Sequence, residues 1–475
     1  MFFKKRRTRT LPTDFPNRTS EEFRDELARR MSGVQRHRLL QGFPMAPMMA
    51  EAPRSPVLTQ APTSRPMLLG VLPHTFCVPA VKGCGFCTFP HESFNKSLMV
   101  PLAMAIANEI TQKARTASWS NIAGIYIGGG TANLTPLPAL SILLGALTAF
   151  RPRDTELTLE GVPRFFTAEQ LDLLTGSGLG SVRISMGVQT FSEAWLVKMG
   201  RHTIGSPKQV AAAVSLAQAR SVGTSIDLLL NLPGQPREDM LADVEHAIAL
   251  GVDQICLYHL VLREDLKVPW ADDPEMLSTL PENAVALDSW RAVRAALLEA
   301  GFVQRTLTNF ERSAQTADRR FRYEPHSFRP HTCDALGFGP GAISGINFGT
   351  QTKPLKWINH ATSEAYHAST KERRSPISRI YVYEPFEDAL MQLTRGLALL
   401  EVPTSAGALA THRAAFDPEL QLLEESELLV PVEGGLRLTE RGMFYADSVA
   451  GLLAWRTVQH RKAVGLNEPA VHPMG

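Results

Sequence analysis

Three of the chain's five cysteines, Cys77, Cys84 and Cys87, fall within eleven positions of TFCVPAVKGCGFCTFPHE, residues 75–92. The other two, Cys256 and Cys333, stand far apart without a paired neighbour and are expected to be structural. Three thiols in one glycine-containing loop admit three kinds of chemistry. Inert buried thiols are the plainest, since free cysteine is commonly a core residue. Against that reading, Gly, Pro and Lys lie between these three, and the loop follows directly on an apolar run. A zinc site is the second: Cys84-x-x-Cys87 is a good hook, Cys77 a third ligand, and His74 or His91 candidates for the fourth. An iron–sulfur cluster is the third, for which thiolates are the usual ligands, and three of them on a four-iron cluster leave one iron without a protein ligand. The triplet alone does not choose between zinc and iron.

Such a loop must be held in place, and the pattern from Pro66 onward shows by what. Apolar β-type runs at 67–72, 122–127, 156–160, 181–187, 224–230 and 253–260 alternate with helix-like stretches at 98–115, 137–149, 167–176, 207–221 and 236–250, and a further one follows at 282–301. Six strands, each followed by a helix, predict a parallel sheet with covered faces. The alternation suits a barrel or a doubly wound sheet, and periodicity does not choose. In both, the carboxyl ends of the strands form the functional edge. The unusual residues gather there. Strand two ends in IYIGGGTAN, where Gly128, Gly129 and Gly130 let a ligand approach the backbone before Thr131. Glu160 ends strand three in TLEGVP, and Gln189 tips strand four in RISMGVQTF. Asp227 lies inside the apolar strand SIDLLLNLPGQ, where a charge is costly unless paired or used. Tyr258 and His259 end strand six and are expected on the substrate side. Polar groups at successive strand ends around a cysteine loop suit a cofactor with an amine, a carboxylate, a ribose and a base.

The remainder of the chain is read more coarsely. Residues 1–65 form a basic, Pro-rich, weakly ordered extension with a short helix near 20–31 capped by Ser20; 66–350 are the core; 351–385, with TKPLKW and KERRSP, a linker; 386–460 a smaller module; 461–475 a tail. In the smaller module, amphipathic helices in DALMQLTRGLALL and ELQLLEESELLV precede a hairpin turning at Glu433-Gly434-Gly435, the pattern of a winged helix. It lacks a Lys/Arg-rich recognition helix, so a packing or lid role is expected rather than DNA binding. The charged stretch ERSAQTADRRFRYEPH is expected on the surface. A net charge of +2 gives no strong field toward nucleic acid or lipid, and the basic start MFFKKRRTRT reads as a solvated arm. Five cysteines are too few for a disulfide scaffold, and no apolar run approaches the ~20 residues that span a membrane. A cytoplasmic protein without nucleic-acid or membrane partners is expected.

Taken in order, these motifs resemble the radical S-adenosylmethionine enzymes, and within them the oxygen-independent coproporphyrinogen III oxidase-like subgroup. IYIGGGTANL is similar to the family's glycine motif, TLEGVPRFFT to its strand-three glutamate motif, SVRISMGVQTFSEAWLVKMGR and SIDLLLNLPGQ to its next two, and CDALGFGPGAIS to its later Gly-rich segment. The resemblance runs from about residue 68 to 350. It implies an α/β fold, an incomplete (β/α)6 barrel with a small C-terminal winged-helix-like module. It also implies that Cys77, Cys84 and Cys87 hold a [4Fe-4S] cluster whose unique iron binds one of one or two S-adenosylmethionine molecules. Phe86 would lie against the adenine, and Gly128, Gly129, Gly130 and Thr131 would receive the methionine end. Glu160, Gln189, Arg201 and Asp227 would fix the rest of the nucleotide or a second S-adenosylmethionine; the plain alternative for Glu160 and Asp227 is an ion pair with Arg183 or Arg201. Partners implied are a small-molecule substrate and an electron donor such as a flavodoxin or ferredoxin. One departure stands out: C-x6-C-x2-C replaces the subgroup's usual C-x3-C-x2-C. A specialised relative is therefore expected, in one of three classes: hydrogen-abstracting oxidase, two-S-adenosylmethionine methyltransferase or cyclopropanase, or haem-trafficking protein without turnover.

Overall fold

The computed structural model describes residues 19–35, 44, 49–51, 65–78, 82–116, 121–314, 320–347 and 353–463. The MFFKKRRTRT arm, most of the Pro-rich segment before residue 65 and the tail beyond 463 lie outside the described residues. All six apolar runs are strands: β1 (Met67–Val71), β2 (Ile122–Ile127), β3 (Glu156–Gly161), β4 (Ser181–Gln189), β5 (Gly223–Leu230) and β6 (Gln254–His259). After α1 (Ser20–Ser32), the intervening helices are α2 (Met99–Thr116), α3 (Leu137–Leu147), α4 (Ala168–Thr175), α5 (Pro207–Gln218) and α6 (Arg237–Ala249), with α7 (Asn283–Glu299) after β6.

The strands β1 to β6 pair in sequence order and all in parallel. A doubly wound sheet would reverse direction part-way; this order does not, so every crossover runs the same way round, as in a barrel. Side-chain alternation gives each strand two distinct faces. Leu69, Ile125, Leu157, Ile184, Ile226 and Ile255 join the helices in the main hydrophobic core. Their neighbours Tyr126, Glu160, Ser185, Asp227, Cys256 and Tyr258 take the opposite, inner face, which is therefore polar. The barrel does not close. Beyond β6 the sheet continues antiparallel through β8 (Asn309–Arg312) to β7 (Phe302–Gln304). Beyond β1 it continues through β9 (Asp334–Phe338), still parallel, then antiparallel through β10 (Ile343–Ile346), β11 (Leu355–Asn359) and β12 (Ile377–Val382) to the two-residue edge Ala50–Glu51.

This corrects the expected linker at 351–385. Within it β11 and β12 pair in the main sheet, and Trp357 and Tyr381 are buried there. The charged flanks occupy connections, and each strand mixes polar with apolar residues. The N-terminal extension likewise contributes structure: α1 is capped by Thr19 rather than Ser20, through a capping box with Glu22. Its Phe23 packs edge-on against Trp455 at 5.6 Å.

Past α8 (Tyr323–Ser327) and α9 (Ser363–Lys371), the order α10 (Pro385–Gly396), β13 (Glu401–Pro403), α11 (Gly407–His412), α12 (Asp417–Glu425), β14 (Leu429–Val432), β15 (Gly435–Leu438) is that of a winged helix. The hairpin turns at Glu433 and Gly434, where Gly434 adopts φ +74°. The short helix α13 (Glu440–Phe444) and the long α14 (Ala446–Ala463) follow. No helix among the described residues is long and apolar enough to cross a membrane.

Candidate functional site

The cysteine loop begins just after β1 and is stitched to the glycine loop that follows β2. Thr131 N donates to Phe76 O at 2.9 Å, and Thr131 Oγ1 accepts from Val78 N at 3.2 Å and donates to Cys77 Sγ at 3.5 Å. A Cβ on Gly130 (φ +51°) would stand 2.6 Å from Phe76 O, so only glycine permits this approach. The loop then turns through three successive left-handed residues, Gly83 (φ +59°), Cys84 (φ +53°) and Gly85 (φ +84°). A cysteine in that conformation is strained, and strain of this kind concentrates at functional sites.

Burial holds the Cys77 thiol up at about 11, and the proximity of Cys84 and Cys87 adds to this while Thr131 offsets it. Arg201 approaches from the strand-four side. It is buried, its Nη1 lies 3.6 Å from Cys84 Sγ and its Nη2 donates to Gly187 O, while its Nε has no partner. A second apolar cluster shelters Cys84: Trp195, Met199, Leu232, Leu262 and Trp270 among others. Phe86 packs on Trp270 with ring centroids 5.3 Å apart. Trp270 itself covers Gly85, whose added Cβ would fall 2.0 Å from the indole Nε1. Among the described residues no three His, Cys, Asp or Glu side chains converge on one metal-ion position. The cysteines of a four-iron cluster each hold a different iron, so they need no such convergence.

Around this loop the inner face supplies its polar groups. Glu160 accepts from Gly129 N at 3.3 Å, and its carboxyl is held above its usual range by burial, partly offset by Gly129 and Tyr126. A Cβ on Gly128 would collide with Glu160 Oε2 at 2.4 Å, so this glycine is what lets the glutamate reach the loop. Asp227 is raised to about 7, first by burial and then by the charge of Glu160. Neither carboxylate stands within salt-bridge distance of an arginine among the described residues; Arg183 instead pairs with Glu156 and Glu311. The ion-pair alternative for Glu160 and Asp227 is thereby not what the structure shows. Gln189, at φ +74° beside a β-bulge, folds its amide over Gly187 toward Arg201. Tyr258 faces the same interior, its phenol pushed well above its usual value by burial and by Cys256 and Asp227.

Two expectations need correction. His259 does not share that interior: the register pairs it with Leu230 on the helix-facing side, where Nδ1 lies 3.0 Å from Asn231 Nδ2 and the ring meets Phe444 edge-on at 5.1 Å. The stretch ERSAQTADRRFRYEPH is not simply surface. Its α8 enters the open side of the barrel, Tyr323 packing on Tyr126 at 5.1 Å and Glu324 accepting from Thr306 Oγ1 and Thr308 Oγ1 at 3.2 and 3.3 Å. Burial holds Glu324 at about 7. Trp270 and Glu324 belong to the site or its walls without any motif marking them.

Comparison with known proteins agrees with this geometry. Residues 75–247 match the Radical SAM superfamily model, the stretch that holds the cysteine loop and β2 to β5. The anaerobilin synthase of Escherichia coli O157:H7 is 26% identical over 372 residues, covering 77% of this chain and 80% of that protein. The heme chaperone HemW of Lactococcus lactis is 32% identical over 240 residues, covering 50% of this chain and 60% of that protein. Among solved structures, coproporphyrinogen III oxidase (HemN) of Escherichia coli superposes with a TM-score of 0.67 at 20% identity, over 84% of this chain and 91% of that one. Residues 75–247 thus match a radical SAM superfamily domain, and the α/β partial-barrel fold is like that of coproporphyrinogen III oxidase. The cofactor pair of that superfamily, a [4Fe-4S] cluster and S-adenosylmethionine, fits what is present: three thiols on one loop, a glycine cradle open to close approach, and the interior carboxyl groups of Glu160 and Asp227 without an ion-pair partner among the described residues.

Proposed function

We propose that this protein is a radical SAM enzyme in which Cys77, Cys84 and Cys87 hold the cluster and the edge formed by Gly128, Gly129, Gly130, Thr131, Glu160, Gln189, Arg201 and Asp227 holds S-adenosylmethionine. When bound, the pair supplies one-electron cleavage of the S–C5′ bond and a 5′-deoxyadenosyl radical that takes a hydrogen atom from an organic substrate. The observation that supports the reading is the bond network joining Cys77, Thr131 and Gly130, which ties the first cysteine of the loop to the glycine loop. The chain's own residues then have definite tasks. Glu160 fixes the Gly129 amide and offers acceptors to a ribose or an ammonium. Arg201 brings its guanidinium beside Cys84, 3.6 Å from the sulfur. Trp195 and Trp270 keep water from the cysteine loop, and Phe86 packs at a tilt against that wall. Tyr258 and Tyr323, both protonated at neutral pH, border the space where a substrate would meet the radical. An external one-electron donor, a flavodoxin or ferredoxin, is part of the proposal.

Anaerobically reconstituted protein, given S-adenosylmethionine and dithionite, is expected to form 5′-deoxyadenosine, and Cys84→Ala is expected to form none. Uptake of zinc but no iron by the wild type would refute the reading. The similarity to heme chaperones supports a second one, haem binding without turnover. Tight haem binding with no 5′-deoxyadenosine from a loaded cluster distinguishes it, and S-adenosylhomocysteine formed with a substrate would mark a methyltransferase.

A further inference from the structure

A cavity of about 330 Å³ lies beside the cofactor edge, on the β1–β9–β10–β11 part of the sheet and under α8 and α10. Its walls are largely apolar, with Leu68, Ile343, Ile346, Leu355, Pro354 and Met391 among them. It adjoins the cysteine loop through Phe89, whose ring tip lies 3.3 Å from the position a Gly129 Cβ would take. Tyr323 forms the partition, one side in this cavity and the other against Tyr126.

Into this apolar space project two cations. Arg395, on α10, makes no hydrogen bond and no ion pair among the described residues. Its Nε is sealed from solvent without a hydrogen-bond partner among the described residues, and the titratable groups that act on it are the neutral phenols of Tyr383 and Tyr323 and the thiol of Cys333. Among the acids nearby, Asp334, itself in the cavity wall, is clamped by Arg65 at 3.0 Å, Glu387 accepts from Tyr381 at 2.7 Å, Glu384 pairs with Lys353 at 2.6 Å, and Asp388, outside the cavity wall, feels the charge of Arg65. Lys356 is the second cation. It donates to Pro44 O at 2.9 Å, and burial together with Arg395 pushes its ammonium down to about 7. A guanidinium enclosed in an apolar wall costs free energy unless an anion joins it.

We infer that this chamber is the substrate pocket and that Arg395, seconded by Lys356, receives the carboxylate of an otherwise apolar small molecule whose body lies along the sheet toward Phe89 and Tyr323. A planar guanidinium suits a carboxylate in a bidentate fork. The inference rests on the radical SAM reading for its meaning as a substrate pocket, but the anion preference is measurable without turnover.

The test is calorimetric titration of the cluster-loaded full-length chain with naphthalene-2-carboxylate and, separately, with its neutral carboxamide. The carboxylate is expected to bind at least about tenfold more tightly, the lower end of what a charge-assisted hydrogen bond contributes. Arg395→Gln is expected to bind the two alike, with carboxamide affinity kept, and Arg395→Lys to retain part of the preference. A wild-type protein that binds both probes equally, or neither, overturns the inference, and that comparison needs no variant to fold. Preference undiminished in Arg395→Gln overturns it also. Formation of 5′-deoxyadenosine without substrate reports on the radical reading separately: preference without it leaves the anion site standing, and its presence without preference removes only the anion site.

Discussion

Gly85→Ala is expected to strip the protein of nearly all its iron, although the substitution adds one methyl group and touches no ligand. The backbone at Gly85 is left-handed, φ +84°, a region that costs an L-residue on the order of 1–2 kcal/mol. The larger effect is steric. The new Cβ would stand 2.0, 2.4 and 2.5 Å from three atoms of the Trp270 indole, far inside van der Waals contact. Trp270 is 5% exposed and wedged among Trp195, Leu262, Leu266 and Cys84, so it has little freedom to retreat. The loop must give way instead, and it carries Cys84 on one side of the glycine and Cys87 two residues beyond. Bound iron after reconstitution, read by metal analysis and by the cluster's visible absorption, is expected to fall to about a tenth of wild type or less. Adding Trp270→Ala to that variant removes the clash but not the backbone strain, so iron is expected to return in part. Such recovery is a coupling that independent sites do not show. Iron binding unchanged in Gly85→Ala would mean that the Trp270 wall does not seat the loop.

How much of this was legible beforehand follows from the physics of each element. Each of the six central strands places apolar residues on its helix-facing side, and helix-like stretches separate them cleanly, so all six are legible to within a residue or two. The antiparallel extension was not found. In β11 the charged Lys356 and the polar Asn359 are buried beside Trp357 and Ile358, so the run looks mixed, and KERRSP beside β12 reads as solvent. The cysteines, the glycines and the strand-end Glu160, Gln189 and Asp227 carried their own signal, a polar or conformationally special residue where an apolar strand stops. Tyr323, Glu324, Trp270 and Arg395 carried none: each comes from a connection or from a helix of another module, and only tertiary packing brings it inward. His259 is different, because the sequence held the correction. Adjacent residues on a strand point to opposite faces, so Tyr258 and His259 cannot both face the same interior while the strand continues. The Asp227 and Cys256 faces, paired in register, already selected Tyr258.

The other large effect is expected from the carboxyl groups of the inner face, and it turns on sign. Asp227 has a folded value of about 7 against an ordinary 3.8, and burial is the first cause, followed by Glu160. Between those two values the folded protein keeps a proton that the unfolded chain has lost. Stability therefore falls as pH rises through that window: the favourable contribution is complete below about 3.8 and gone above about 7. Asp227→Asn, which cannot ionise, is expected to match the wild type near the acid end and to exceed it at pH 8 by a few kcal/mol, at about 1.4 kcal/mol per pKa unit. Denaturant unfolding of the cofactor-free pair across this range measures it, and parallel curves would show that Asp227 is paired after all. The same charge has a use when the cofactor arrives. S-adenosylmethionine brings an ammonium and a sulfonium, and positive charge beside Asp227 and Glu160 favours the ionised carboxylates that burial alone disfavours. Cofactor affinity is thus expected to increase as pH rises from 6 to 8, and Asp227→Asn to bind more weakly with that dependence flattened. A slope retained in the variant would transfer the role to Glu160 or Glu324, which share the interior and titrate against the same burial.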